Sequence, residues 1–188
     1  GMEGIKAHIH KVLDTLDITR PGDYEKIEYL KAMELAADGI SALGHRYAAE
    51  ARKLAEAEPD EKRRKELLQI AKTCDQVPEK PARTFREAIQ SMYIYQTCIF
   101  MEQNAASYNP GRMDRYLYPF YKADIEAGRL TEEEAQELLD CLWVKFSEQC
   151  LFQDQVTAQF SAGYPMFQNV CCGGVDERGM DAVNDVSY

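Results

Sequence analysis

The 188-residue sequence lacks the features that mark several large classes of protein. It has no run of about 18 apolar residues, the length that a membrane-spanning helix needs, and its N-terminus lacks the basic and then apolar layout of a secretory signal. Basic residues are scarce, since 22 Lys and Arg against 32 Asp and Glu give a net charge of −10. Phosphate binding depends on Lys and Arg. We therefore expect an acidic, soluble protein with neither a nucleic-acid nor a membrane partner.

The sequence also lacks the short motifs of common catalytic sites. No glycine-rich phosphate loop, zinc-binding pattern or serine nucleophile elbow occurs in it. The histidines His8, His10 and His45 share no metal-ligand spacing with a cysteine or a carboxylate. We therefore expect no metal site.

The six cysteines form no Cys-x-x-Cys pair and lie within apolar patterns. We expect them to be reduced, buried thiols rather than disulfides. Cys171 and Cys172 are adjacent, but no basic residue lies nearer in sequence than Arg178 to lower the pKa of a thiol. Direct chemistry at these two thiols is therefore not expected.

Amphipathic helix patterns occupy most of the chain. One of them predicts either a single long helix or two helices joined near Gly39 or Gly44. Thr84 and Thr131 each begin a capping box, with a glutamate three residues later, and so predict two helix starts. The helix after Thr84 is apolar on several sides and is expected to be deeply buried. The patterns cover residues 4–16, 24–57, 59–73, 84–102, 114–127 and 131–149.

A single segment predicts a strand. Residues 167–172 are followed by Gly173 and Gly174, a pattern typical of a buried strand that enters a turn. Residues 181–188 have the pattern of a helix start. The fragment is therefore expected to be mainly α-helical, with one strand.

Helix periodicity and turn chemistry do not explain the sequences of three segments: 78–90 (PEKPARTFREAIQ), 107–121 (SYNPGRMDRYLYPFY) and 163–169 (GYPMFQN). Together they resemble the glycyl radical enzymes, the relatives of pyruvate formate-lyase. Within that family, the sequences of these segments are most similar to the dehydratase and lyase branch, which includes glycerol (diol) dehydratase and choline trimethylamine-lyase. The resemblance runs from about residue 62 to the last residue, and more loosely back to Met2, whereas Gly1 reads as a scar of tag removal.

This resemblance implies a ten-stranded α/β barrel, of which the chain would supply a helical part and the first strand or strands. The family's enzymes are several times longer, and their thiyl cysteine and radical glycine would lie beyond Tyr188. Residues 2–188 are thus expected to be an incomplete part of a pyruvate formate-lyase-like domain. It would contain no catalytic residue and would be inactive alone.

The resemblance also implies substrate-binding residues. It places Ser107 at the pocket wall, where its hydroxyl would bond a substrate hydroxyl, although a turn-capping serine is an equal alternative. Tyr164 and Phe167 match an element that brings aromatic side chains to the substrate, with core packing as the alternative. For Arg112 and Asp114 we expect an ion pair or a helix cap rather than catalysis.

For the parent protein, the resemblance implies a lyase or dehydratase that eliminates water or an amine from a small hydroxylated substrate. Its radical would be installed by an activase with an iron–sulfur cluster and S-adenosylmethionine, in an anaerobic cytoplasm. A homodimer or other self-association is expected because an unpaired strand edge invites pairing. A standalone helical binding module and an enzyme of the formate acetyltransferase type are the alternatives. Unusual residues at Arg115, Cys171 and Cys172 leave the substrate open.

Overall fold

The structure is a computed structural model that describes residues 1–103, 107–150, 154–160 and 168–188. This part of the chain is mainly helical, which confirms the predicted class. It divides into two compact units, Gly1–Ala82 and Arg83–Tyr188. Among the described residues, no helix has both the length and the apolar character that a bilayer crossing requires.

The first unit consists of three helices. They are α1 (Met2–Leu13), α2 (Asp23–Ala57) and α3 (Glu61–Gln76), and both α1 and α3 pack on α2. The second of these is one continuous helix of 35 residues that passes through Gly39 and Gly44 without a break. Its buried face is lined by small residues, which lets the neighbouring helices approach closely: Ala37, Ser41, Gly44, Ala48, Ala51 and Ala55.

Close packing explains why residue 44 is a glycine. A Cβ at this position would lie 2.8 Å from Cδ of Pro78 and 3.1 Å from the carbonyl oxygen of Val77. The chain after α3 therefore packs directly on the backbone of α2. A glycine that the sequence suggested as a break is a contact point inside a continuous helix.

The described residues of the second unit form four α-helices and a short 3₁₀ helix. They are α4 (Phe85–Gln103), α5 (Met113–Glu126), α6 (Glu132–Glu148), α7 (Gln155–Phe160) and a 3₁₀ helix at Asp185–Ser187. α5 packs against both α4 and the 3₁₀ helix, and α4 also contacts α6.

The capping box at the start of α6 forms as predicted. The Thr131 hydroxyl accepts a hydrogen bond from the Glu134 amide (3.2 Å), and the Glu134 carboxylate accepts one from the Thr131 amide (2.9 Å). At α4 only half of the predicted box forms. Thr84 Oγ1 accepts from the Glu87 amide, but the Glu87 carboxylate accepts from the Arg83 amide at 2.7 Å, one residue earlier than predicted.

The predicted strand is not present as a strand in the described part of the chain. Val170 forms a single parallel bridge with Gly111, and Phe167, where the prediction begins, lies outside the described residues. A strand is defined by its pairing, and the described residues provide a partner at one position only. The predicted helix start at 181–188 was also wrong, because only the three residues of the 3₁₀ helix are helical there.

The sequence predicted more burial than the structure shows, both for α4 and for the cysteines. The first half of α4 is mostly buried, but farther along Tyr95 and Met101 are 41% and 65% exposed. All six cysteines are free, as predicted, yet only Cys74 is buried. Cys98 is half-buried, and the remaining four are exposed: Cys141, Cys150, Cys171 and Cys172.

Candidate functional site

Ser107 is the one predicted substrate-binding residue that the structure describes, since Tyr164 and Phe167 lie outside the described residues. Its side chain is exposed, and its φ of 63° lies in the left-handed region that few residues other than glycine adopt. The loop from Ser107 to Arg112 then leads into α5. Ser107 is therefore presented at the surface of the second unit, in a backbone conformation set by its loop.

Aromatic side chains support this loop. The ring of Tyr108 packs edge-on against Phe100, with 6.4 Å between ring centroids, and the Tyr116 hydroxyl donates a 3.0 Å hydrogen bond to the Pro110 carbonyl. Burial, together with nearby Tyr108, raises the pKa of Tyr116 to about 12. Sequence reasoning did not single out these rings. The signal for them was the run of tyrosines through the segment 107–121.

A second stretch of chain runs beside the loop. Gly111 and Val170 form the parallel bridge, and the Cys171 amide donates to the Gly111 carbonyl at 3.4 Å. Two residues earlier on each side, the Asn169 amide donates to Oδ1 of Asn109 at 2.5 Å. Because the bridge is parallel, the segment that leads to Gly111 and the segment that leads to Val170 run in the same direction.

Side-chain amides fix the start of this second stretch. The amide nitrogens of Gln168 and Gln96 both donate to Oε1 of Gln149, each at 3.3 Å. The amide nitrogen of Gln149 in turn donates to Thr97 Oγ1 at 3.3 Å. Gln96 is 1% exposed, and its own Oε1 has no hydrogen-bond partner among the described residues. Residues of α4, the end of α6 and Gln168 thus share one network.

Arg112 and Asp114, predicted to form an ion pair or a cap, both bind the chain that follows Val170. The Arg112 guanidinium donates to the carbonyls of Gly173 and Val175, the latter at 2.9 Å. Oδ2 of the fully buried Asp114 accepts hydrogen bonds from the Gly173 amide (2.6 Å) and the Ser187 hydroxyl (2.7 Å). Their main bonds are therefore to a distant segment rather than to each other.

The electrostatics of this cluster keep Asp114 ionised. Burial raises the pKa of its carboxyl, but the hydrogen bonds from Gly173 and Ser187, the nearby Arg115 amide and the charge of Arg112 outweigh burial and leave the pKa below its usual value. Although Cys172 is largely exposed, partial desolvation of its thiol and the negative charge of Asp114 raise the pKa of that thiol. This is the opposite of what a reactive thiolate needs.

Other features of the described residues offer less chemistry. They contain no group of three or more His, Cys, Asp or Glu side chains that could hold a metal ion. An open groove of about 510 Å³ lies between α1 and α2, lined by Val12, Glu25, Lys26, Tyr29 and Leu30. The amine of Lys26 is held in a 2.9 Å ion pair with Asp23, and no hydrogen bond joins it to the carboxylate of Glu25 among the described residues. The loop from Ser107 and the segment paired with it remain the best-supported site.

The chain matches one family of known proteins over its whole length. The family model "Pyruvate formate lyase-like" matches residues 1–188. Over 191 residues the chain is 42% identical to trans-4-hydroxy-L-proline dehydratase of Clostridioides difficile and 39% identical to isethionate sulfite-lyase of Bilophila wadsworthia, covering 100% of this chain and 24% and 23% of those proteins.

A solved structure from work on 1,2-propanediol dehydration in Roseburia inulinivorans matches with a TM-score of 0.95 and 39% identity, over 99% of this chain and 23% of that one. The chain therefore spans about a quarter of the length of the relatives that it matches. A family model that matches every residue, together with relatives of this identity, establishes that the chain belongs to the pyruvate formate lyase-like family of glycyl radical enzymes.

Proposed function

We propose that these 188 residues form one wall of the substrate pocket in a glycyl radical dehydratase or lyase. The observation that carries this proposal is the parallel pairing of Gly111 with Val170, reinforced by the bond between Asn109 and Asn169. It brings the loop after Ser107 beside residues 169–171, which follow Phe167 closely in sequence. The relatives' names, which include dehydratases and sulfite-lyases, support the reaction class.

Each predicted side chain has a distinct role in this proposal. Ser107 exchanges a hydrogen bond with a substrate hydroxyl and so orients the bond that breaks. Tyr164 and Phe167 line the pocket and exclude water from it. Tyr108, through its contact with Phe100, and Tyr116, through its bond to the Pro110 carbonyl, keep the loop of the serine in place.

The rest of the machinery belongs to the whole protein. We propose a ten-stranded α/β barrel that carries a thiyl cysteine and a radical glycine outside this sequence, together with an S-adenosylmethionine iron–sulfur activase as partner. The bound radical would supply hydrogen-atom abstraction from the substrate. A cytoplasmic, anaerobic homodimer fits this chemistry, and the 188 residues alone would not turn over substrate.

The test uses a full-length enzyme that contains this sequence, activated without oxygen and supplied with a panel of small hydroxylated substrates. We expect a glycyl radical signal in electron paramagnetic resonance and elimination of water or another leaving group. Ser107→Ala should raise KM by about tenfold or more, the scale of one lost substrate hydrogen bond. A protein that gives no radical signal and no elimination product would contradict the proposal.

Ser107→Gly separates the hydroxyl from the backbone conformation. Glycine adopts a φ of 63° readily, whereas alanine does so with strain. If the hydroxyl binds substrate, both variants raise KM to a similar extent. If only Ser107→Ala is impaired, the serine acts through its loop, and its proposed contact with substrate is wrong.

A further inference from the structure

The buried carboxylate of Asp114 connects stretches of chain that are far apart in sequence. It lies in the first turn of α5, and Oδ2 accepts hydrogen bonds from the Gly173 amide and the Ser187 hydroxyl. The backbone carbonyl of Asp114 also accepts a bond of 3.4 Å from the Asn184 side-chain amide. One residue thus holds both ends of the segment 173–187 against α5.

The backbone of that segment is shaped for these bonds. Gly173 and Gly174 have φ values of 64° and 80°, which favour glycine. A Cβ on Gly173 would lie 2.8 Å from Cγ2 of Val183, so a larger residue there would require the Val183 side chain to shift. The turn directs the Gly173 amide to Asp114 and the Gly173 carbonyl to Arg112.

The position of this turn matters for the site because it follows the paired stretch directly. Val170 and Cys171, which contact Gly111, are separated from Gly173 by Cys172 alone. A shift of the turn by one residue would change which residues lie opposite Asn109 and Gly111. The anchoring of Gly173 therefore sets the register of the pairing.

We propose that Asp114 is a positioning residue for the substrate site: it latches the segment 173–187 to α5 and thereby fixes the register in which the chain from Gln168 to Val170 lies beside Asn109 and Gly111. This inference rests on the proposed function only for its effect on substrate. The latch is a property of the 188-residue chain and can be tested without any substrate.

Asp124 provides a matched control. It is a second buried aspartate of α5, in its last turn, and it anchors the Phe85 amide with one oxygen and Arg129 with the other. Oδ1 of Asp114, by contrast, has no hydrogen-bond partner among the described residues. An asparagine at position 114 can therefore keep an acceptor toward Gly173 and turn its NH₂ to the unpartnered side, whereas at position 124 the NH₂ would face either Arg129 or the Phe85 amide.

The first measurement is amide hydrogen exchange by mass spectrometry on the full-length enzyme that contains this sequence, without substrate. In Asp114→Ala, we expect peptides covering 170–175 and 184–187 to exchange about tenfold faster, with peptides of α4 unchanged. Asp114→Asn should restore most of the protection. Asp124→Ala should instead accelerate exchange at 85–88, and Asp124→Asn should restore little of it. Unchanged exchange at 170–175 in Asp114→Ala would overturn the latch.

Ser187→Ala keeps the inference testable if Asp114→Ala fails to fold. It removes one of the two donors to Oδ2, so exchange at 184–187 should rise by about threefold while α4 and α6 keep their protection. An unchanged rate at 184–187 in this variant also overturns the latch.

The effect on the site is then measured in the full-length enzyme. Asp114→Ala should raise KM by about tenfold more than Asp124→Ala does, with partial rescue by Asp114→Asn. The two alanine variants could differ in amide hydrogen exchange and still have equal KM values. That result would overturn the positioning role of Asp114, although the latch itself would still hold. A wild-type enzyme without elimination activity would instead contradict the proposed function and, with it, the substrate part of this inference.

Discussion

The amide of Phe85, the first residue of α4, donates a 2.8 Å hydrogen bond to Oδ2 of Asp124 in the last turn of α5. The first amides of a helix have no partner within it, so a carboxylate from another helix caps α4. Arg129 donates to the other oxygen of Asp124 at 2.8 Å and completes the anchor. The start of one helix and the end of the next along the chain are thereby held together.

Removing this carboxylate should weaken the second unit. In Asp124→Ala, the Phe85 amide remains buried without an acceptor, which costs about 1 to 3 kcal/mol of unfolding free energy. Urea denaturation followed by circular dichroism measures the loss. Asp140→Ala is the control, because Asp140 is exposed on α6 and, within the described part of the chain, accepts a hydrogen bond from the neighbouring Gln136 side chain. Equal stability losses in the two variants would contradict the capping role of Asp124.

The core of the second unit should be sensitive at Leu117. This side chain is 0% exposed in α5, and truncation to alanine leaves a cavity that costs about 2 to 5 kcal/mol. Val144 on α6 is 60% exposed, so Val144→Ala should change the stability by less than about 0.5 kcal/mol. The urea midpoints of the two variants provide the comparison. A loss at Leu117 no larger than that at Val144 would show that α5 is not packed as described.

The cysteines should differ in their reactivity. Burial and the neighbouring charge of Asp75 raise the pKa of the Cys74 thiol to about 11, and its side chain is buried, whereas Cys141 and Cys150 are exposed. At pH 8, iodoacetamide should modify the exposed pair about tenfold faster or more than Cys74. Peptide mapping measures the rates, and the same reaction in urea is the control, in which the difference should disappear. Rapid modification of Cys74 in the folded chain would contradict its burial.

The sequence predicted the helices well because helix formation depends on local signals. The capping box of Thr131 and Glu134 contains both of its partners within four residues. Sequence patterns missed α7, the helix Gln155–Phe160, because it is exposed all round and has no apolar stripe. The only local sign of this helix was Asp154, whose carboxylate accepts hydrogen bonds from the Val156 and Thr157 amides.

The site was less predictable because it depends on partners distant in sequence. Sequence reasoning expected Asp114 to act next to its own helix start, whereas it binds Gly173 and Ser187, 59 and 73 residues away. The prediction of a strand at 167–172 failed for a related reason. The apolar pattern describes the segment itself and contains no information on how many neighbouring segments pair with it. Family resemblance identified Ser107, but only the structure places its loop next to Val170.

Asp114 should make the stability depend on pH. Its pKa in the folded chain lies below the usual value of 3.8, so its ionised form is stabilised by folding. Such a group contributes stability above the pKa of the unfolded chain and loses that contribution as the pH falls through the folded pKa. Asp114→Asn cannot ionise. The difference in unfolding free energy between the wild type and Asp114→Asn should therefore be largest near pH 7 and decrease below about pH 4.

Several other carboxylates also have lowered pKa values, among them Asp154 and Asp176, so the acid unfolding curve of the wild type alone does not isolate Asp114. Those groups are common to both proteins and cancel in the difference, because each lies outside the substituted position. Urea denaturation at intervals from pH 7 to about pH 3 gives that difference directly. A difference that stays constant over this range would show that the hydrogen bonds from Gly173 and Ser187 do not favour the ionised carboxylate, and the account of Asp114 as a charged anchor would be wrong.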